Sequence, residues 1–352
     1  MVRNYQIEML DVADADAFIV YVEVDGDIGL EKKLILVDAG RYHDGDKILS
    51  HFNKYYPGRD IDLAIVTHCD DDHFGGFIRI LELMSEYEQN SIKIRKFLIN
   101  DPRNLGLTTD DFKKANNQDS VDNHLKMIFG KSKKSLLDMI ETLKIPKRNA
   151  FADVITFNDM KIGIPSELEP PFDFITVLGP TEEYFKSLIP TMRKHGLNSI
   201  NESSTDINDL YTLDENALLE GVNRVDKDES PNNQSSIILM MDFCGKKYLF
   251  TGDAGEKAFA NMTSKHFQDM ANVHWLKVPH HGSDRNLSKE IIQHLNPKIA
   301  YVSTKKIGHY LSQDTIDALK AVGCKVYSTH VHKSMIHHRI VRRHGYKVVQ
   351  PL

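Results

Sequence analysis

Four side chains able to ligate a cation, His68, Asp70, Asp72 and His73, fall within the segment Ala64-Ile-Val-Thr-His-Cys-Asp-Asp-Asp-His-Phe-Gly-Gly76. Carboxylates this dense repel one another unless a cation or protons neutralise them. The spacing lets His68 and Asp70 face one centre while Asp72 and His73 face a second. In Leu249-Phe-Thr-Gly-Asp-Ala-Gly255 an apolar run ends on Asp253 between two glycines, a natural carboxylate to bridge two cations. In Trp275-Leu-Lys-Val-Pro-His-His-Gly-Ser283 another apolar run ends on adjacent histidines. Adjacent side chains diverge, so at most one of His280 and His281 is a direct ligand, and the other supports it or touches substrate. The candidate ligands are His68, Asp70, Asp72, His73, Asp253 and His280, the choice between His280 and His281 being left open by the sequence. Two divalent ions in such a set, Zn²⁺ or Mn²⁺, would polarise a substrate oxygen and hold a bridging hydroxide as nucleophile at neutral pH.

These clusters need strands that end where they begin. Apolar runs predict strands over Phe18–Val24, Lys33–Val37 and Leu63–Val66. Phe74, Phe77, Ile78, Leu81 and Met84 stand at helical spacing just after the first cluster. Regular alternation returns with strands over Ser236–Asp242, Lys247–Thr251, His274–Val278, Ile299–Ser303 and Lys325–Ser328, and with helices between the later ones. Residues 101–230 are irregular, with a helical pattern over Ser135–Leu143, a short strand at Phe174–Leu178 and a polar stretch over Arg193–Ser230. The reading is an α/β chain of one domain over 1–352, a two-sheet core with helices outside and an inserted middle segment at 101–230.

Composition narrows the class. With 41% apolar and 27% charged residues, the chain can bury a core, which rules out disordered and disulfide-scaffold readings. No apolar run approaches the ~20 residues that span a bilayer, and the first residues lack a secretory signal pattern. Cys69, Cys244 and Cys324 are far apart and never paired as C-x-x-C, which predicts a reducing, cytoplasmic setting. A net charge of −6 gives no global field for nucleic acid. From Lys325 to Leu352, however, there are six Lys or Arg, five His and no carboxylate.

The succession of ligands at strand ends resembles the metallo-β-lactamase superfamily. The resemblance implies an αββα sandwich, and it makes Asp38, in Leu34-Ile-Leu-Val-Asp-Ala-Gly40, an aspartate that orders the ligand loop. The superfamily's H-x-H-x-D-H reads here as H-x-D-x-D-H, with Asp70 in place of the second histidine. With Asn232-Asn-Gln-Ser235, Thr251-Gly-Asp253 and Lys277-Val-Pro-His-His-Gly-Ser283, this looks closest to the hydrolase domain of competence-type DNA-uptake channels (ComEC-like) in free-standing form. The likeness covers roughly residues 5–100 and 230–335. It lacks the isolated third histidine, near whose position Asn232 and Asn233 stand.

The resemblance, with the oxygen-rich ligand set, implies a metal-dependent phosphodiesterase, with nucleic acid the leading substrate. Asp72, His281 and His309 are the candidate catalytic residues, the two histidines assisting the leaving group or steadying phosphoryl oxygens. Alternatives are hydrolysis of a lactone, thioester or cyclic nucleotide, or a non-catalytic scaffold. Replacing Asp70 by His is expected to shift preference from Mn²⁺ toward Zn²⁺. Arg339, Arg342 and Arg343 are expected to track a phosphate backbone, with His332 nearer the site. The middle segment is a candidate surface for a protein partner or a second copy, and no membrane partner is expected. Cys69 should point away from the ligands that flank it, and His330, His332, His337 and His338 read as surface before metal site.

Overall fold

The computed structural model describes residues 1–26, 29–86, 92–131, 134–152, 155–157, 160–162, 168–193, 226–338, 346 and 349–352. One sheet holds β1 (Val2–Met9), β2 (Ala17–Gly26), β3 (Gly29–Ala39), β4 (Leu63–Val66), β5 (Phe97–Ile99) and β6 (Lys147–Arg148). The other holds β7 (Ile175–Gly179), β8 (Ile238–Phe243), β9 (Lys246–Phe250), β10 (Trp275–Lys277), β11 (Ile299–Val302) and β12 (Lys325–Ser328). After β12 the chain crosses back, and β13 (Met335–His337) pairs antiparallel with β1 at the edge of the first sheet.

Strand periodicity of two sorts the side chains into layers. On β3 and β4, Leu34, Leu36, Ala64 and Val66 meet helices, while Ile35, Val37, Leu63 and Ile65 meet the other sheet. On β9 to β11, Tyr248, Phe250, Trp275 and Tyr301 fill the space between sheets, and Leu249, Leu276, Ala300 and Val302 face outward to a second set of helices. Both faces of these strands are buried, which is why they read as nearly continuous apolar runs. The first sheet is covered by α1 (Asp44–Tyr55), α2 (Asp71–Glu86) and neighbours, through Phe52, Phe77 and Leu81. The result is the expected αββα sandwich.

Strands β3, β4 and β5 run parallel, and so do β9 to β12. Their carboxyl ends line one edge of each sheet, the usual place for a site in such architectures. The two edges meet where the Ile237 N–H donates to the Thr67 carbonyl at 2.8 Å.

Three elements differ from expectation. Helix α2 begins at Asp71 instead of Phe74, so Asp71, Asp72 and His73 form its first turn, where carboxylates suit the positive end of the helix dipole. Strand β1 was not expected, because Gln6 and Glu8 interrupt its apolar positions, yet both are buried. Within 101–230 the expected helix and strand occur, over Leu136–Thr142 and at β7, and the difference is that β6 and β7 pair into the two sheets. No helix among the described residues is long and apolar enough to cross a membrane.

Candidate metal centre

The ligand loop is organised by Asp38, which ends β3 with a left-handed φ of 55°. Its carboxylate accepts from the Thr67 N–H at 2.8 Å and the Thr67 hydroxyl at 2.7 Å. It also lies 2.8 Å from His73 Nδ1. Having donated to Asp38, the Thr67 hydroxyl accepts from His68 Nδ1–H at 3.1 Å. Close packing of α2 against β3 depends on Gly76, where a Cβ would stand 1.9 Å from the Ala39 carbonyl oxygen.

Three imidazoles then converge. His281 lies 3.1 Å from the Ser303 carbonyl through Nδ1, as His73 and His68 are engaged through theirs. In the neutral tautomer with its proton on Nδ1, each ring offers the Nε2 lone pair to a cation. The Nε2 atoms of His68, His73 and His281 are buried without a hydrogen-bond partner. Around them lie two carboxylates: Asp253 Oδ2 is 3.3 Å from His73 Nε2, and Asp72 Oδ2 is 3.5 Å from His281 Nε2. Ligand atoms of His68, His73 and Asp253 lie within 4.8 Å of one another, as do those of Asp72, His73 and His281. Orphaned imidazole nitrogens facing carboxylates fit a divalent cation, Zn²⁺ or Mn²⁺. A third group, Asp16, Asp38 and His73, is already engaged: Asp38 holds the loop and Asp16 pairs with Lys277.

The electrostatics favour positive charge at this centre: Asp253 and Asp38 outweigh burial and raise His73 well above its ordinary value, a charge that a bound cation would supply in place of the proton. Burial pushes the His68 imidazole down to about 4, with His73 adding to the effect, so it is a neutral donor at physiological pH. Burial opposes charge on Asp253, but His73, Lys277 and His281 outweigh it and hold the carboxyl well below its usual range. Asp72 is held ionised in the same way, chiefly by His281 and His73. Lys277 is itself buried, donating to Asp253 at 3.1 Å, and its ammonium stays charged because Asp16 and Asp253 outweigh the cost of burial.

His280 and His281 divide the roles differently from the sequence expectation. Both have left-handed backbone, φ 47° and 53°. His281 turns inward, and His280 Nδ1 lies 2.9 Å from Asp228. Asp70 meets Asn232 and Arg193, with its Oδ2 3.8 Å from His68 Nε2. His309 is 42% exposed, with Nδ1 3.3 Å from Asp14. Its neighbour Tyr310 packs over both His280 and His281. Cys69 is buried in an apolar cluster, away from the ligands. His332 contacts the Gln350 carbonyl, while Arg339, Arg342 and Arg343 lie outside the described residues.

Sequence reasoning missed Asp16, Arg41, Arg193 and Asp228. Asp16 had a faint signal in the acidic repeat Asp14-Ala-Asp16. Arg193 lies 123 positions from Asp70, and no local pattern joins them.

Residues 24–83, which include Asp38 and the whole first ligand cluster, match the family model described as Metallo-beta-lactamase superfamily. The chain is also similar to ComE operon protein 3 of Bacillus subtilis (strain 168), 35% identical over 83 residues. That alignment covers 24% of this chain and spans about a tenth of the relative's length, 10%. Residues 24–83 thus match a superfamily made up mostly of hydrolases that usually bind divalent metal, and the sandwich is consistent with its fold.

Proposed function

We propose that the protein is a metal-dependent phosphodiesterase, with nucleic acid as its substrate class. The observation that carries this reading is the convergence of three unpartnered imidazole Nε2 atoms on Asp72 and Asp253. A divalent cation bound there would lower the pKa of water and polarise a phosphoryl oxygen. The carboxylate share of the donors favours a hard ion and oxygen-rich substrates.

The chain's own groups support an anionic substrate. The imidazoles are buried, while Asp70 and Asp72 are 13% and 18% exposed, so the site opens on their side. Two guanidiniums flank that opening, Arg41 at 3.4 Å from Asp72 and Arg193 at 2.9 Å from Asp70. They are 47% and 59% exposed, so their positive charge reaches the surface where a phosphate would approach. His309, exposed beside Asp14 and next to Tyr310, which packs on His281, would be the group to hold or deliver a proton to a leaving oxygen. His281 aims Nε2 at the carboxylates and acts as a ligand in this reading, with Lys277 keeping Asp253 ionised between them.

The test is a panel of single-stranded DNA, RNA, a cyclic dinucleotide, bis-p-nitrophenyl phosphate, a lactone and a thioester, each with Mn²⁺, Zn²⁺ or chelator. Expected is cleavage of the phosphodiesters, lost with chelator and restored by Mn²⁺. Turnover confined to the lactone or thioester would overturn the phosphodiesterase reading.

A further inference from the structure

We propose that this centre holds one divalent cation, not two, and that the Arg193 guanidinium with the Asn232 amide takes the second cation's place on Asp70. The inference rests on the metal-dependent reading above and concerns how the site is filled.

Three observations carry it. First, both oxygens of Asp70 already accept from N–H groups: Oδ1 from Asn232 Nδ2 at 2.6 Å and Oδ2 from Arg193 Nη2 at 2.9 Å. Asn232 is fully buried. Its only ligating atom, Oδ1, accepts the backbone N–H of Arg193 at 2.9 Å, so the amide presents donors to Asp70 and its oxygen away from it. A cation needs lone pairs at that spot, and finds N–H groups.

Second, the two ligand groups are not independent. Both draw on His73, whose Nδ1 is committed to Asp38. Its Nε2 carries one lone pair and cannot serve two ions. The groups therefore merge into a single centre of Asp72, His73, Asp253 and His281, with His68 beside it. Asp70 belongs to none of the candidate groups among the described residues.

Third, the local charge suits one ion. The carboxylates of Asp16, Asp38, Asp70, Asp72 and Asp253 face three fixed cations, Lys277, Arg41 and Arg193. Five negative against three positive charges leave two negative, which one divalent ion cancels and two would overfill. A guanidinium is always charged, planar and matched to a carboxylate, so Arg193 supplies a permanent positive charge where a second metal would supply an exchangeable one.

The experiment counts ions on the full chain. Protein stripped with chelator is saturated with Mn²⁺, desalted and measured by elemental analysis and electron paramagnetic resonance, with Zn²⁺ in parallel. About one ion per chain, with the hyperfine pattern of an isolated Mn²⁺, is expected. About two per chain with the pattern of a coupled pair would overturn the one-ion inference and leave the metal-dependent reading standing. No retained ion of either metal would overturn both. The double variant Arg193→Ala, Asn232→His restores a lone pair and removes the guanidinium, and is expected to take up about two ions. If it melts like the parent and still binds one, Arg193 and Asn232 are not what excludes the second ion.

Discussion

At the scale of single residues, the identity of the inward-facing histidine decides what each substitution does. His281→Ala removes a proposed ligand and is expected to weaken Mn²⁺ binding by more than about 100-fold in a calorimetric titration. His280→Ala leaves the inward-facing groups in place but removes one partner of the buried Asp228, at 2.9 Å, beside Asn233 and Asn286, so it should lower the melting temperature and keep the ion. The reverse pattern would return His280 to the ligand set. Asp70→His, which the sequence suggested would shift preference toward Zn²⁺, should leave the metal profile unchanged while Arg193 and Asn232 remain; a shift would make Asp70 a ligand. The clusters around His68, Asp253 and His280-His281 were legible because each closes an apolar strand, and the structure brings them to one place. The choice between His280 and His281 was not legible. It follows from left-handed backbone at both positions, which bulky side chains rarely adopt and no side-chain pattern announces.

At the scale of elements, helix α2 carries two of the donors, so its seat on β3 matters. Gly76→Ala would drive a methyl into the Ala39 carbonyl, from 1.9 Å. A loss of about 3 kcal/mol is expected in urea unfolding, with weaker Mn²⁺ binding as α2 shifts; an unchanged midpoint would mean the helix moves aside freely. A second element junction is pH-sensitive. Asp101, after β5, binds Arg103 at 2.8 Å and Lys147 of β6 at 2.7 Å, and it is 4% exposed. Burial opposes its charge, but these partners outweigh it and hold its pKa below the ordinary 3.8. Such a group stabilises the fold above about pH 4 and loses that contribution as pH falls through its depressed folded value. Asp101→Asn should cost about 3 kcal/mol at neutral pH and flatten the acid limb of the stability profile. A parallel downward shift at every pH would assign the loss to packing. The sandwich core was readable from buried strands with few polar breaks. Strand β1 was hidden because its polar Gln6 and Glu8 are buried too.

At the scale of the whole molecule, net charge −6 means that a polyanion must approach along a local basic lane. Arg339, Arg342 and Arg343 are proposed as that lane. Neutralising all of them should weaken binding of long DNA and flatten its log–log salt slope by about one unit per lost phosphate contact. A small chromogenic phosphodiester should be spared, and equal losses on both would mean a folding defect. Strand β13 adds a matter of timing. During synthesis the outer edge of β1, at Ile7, Glu8 and Met9, has no neighbour until His337, Ile336 and Met335 leave the ribosome, after the other strands of both sheets. An open edge of that kind invites pairing with another nascent chain. Glu8 points a carboxylate inward from that very strand, fully buried. Two of its partners, His51 and Tyr56, are made early and Tyr346 comes last, so the unfinished sheet would carry a guard against misassembly long before its last strand arrives.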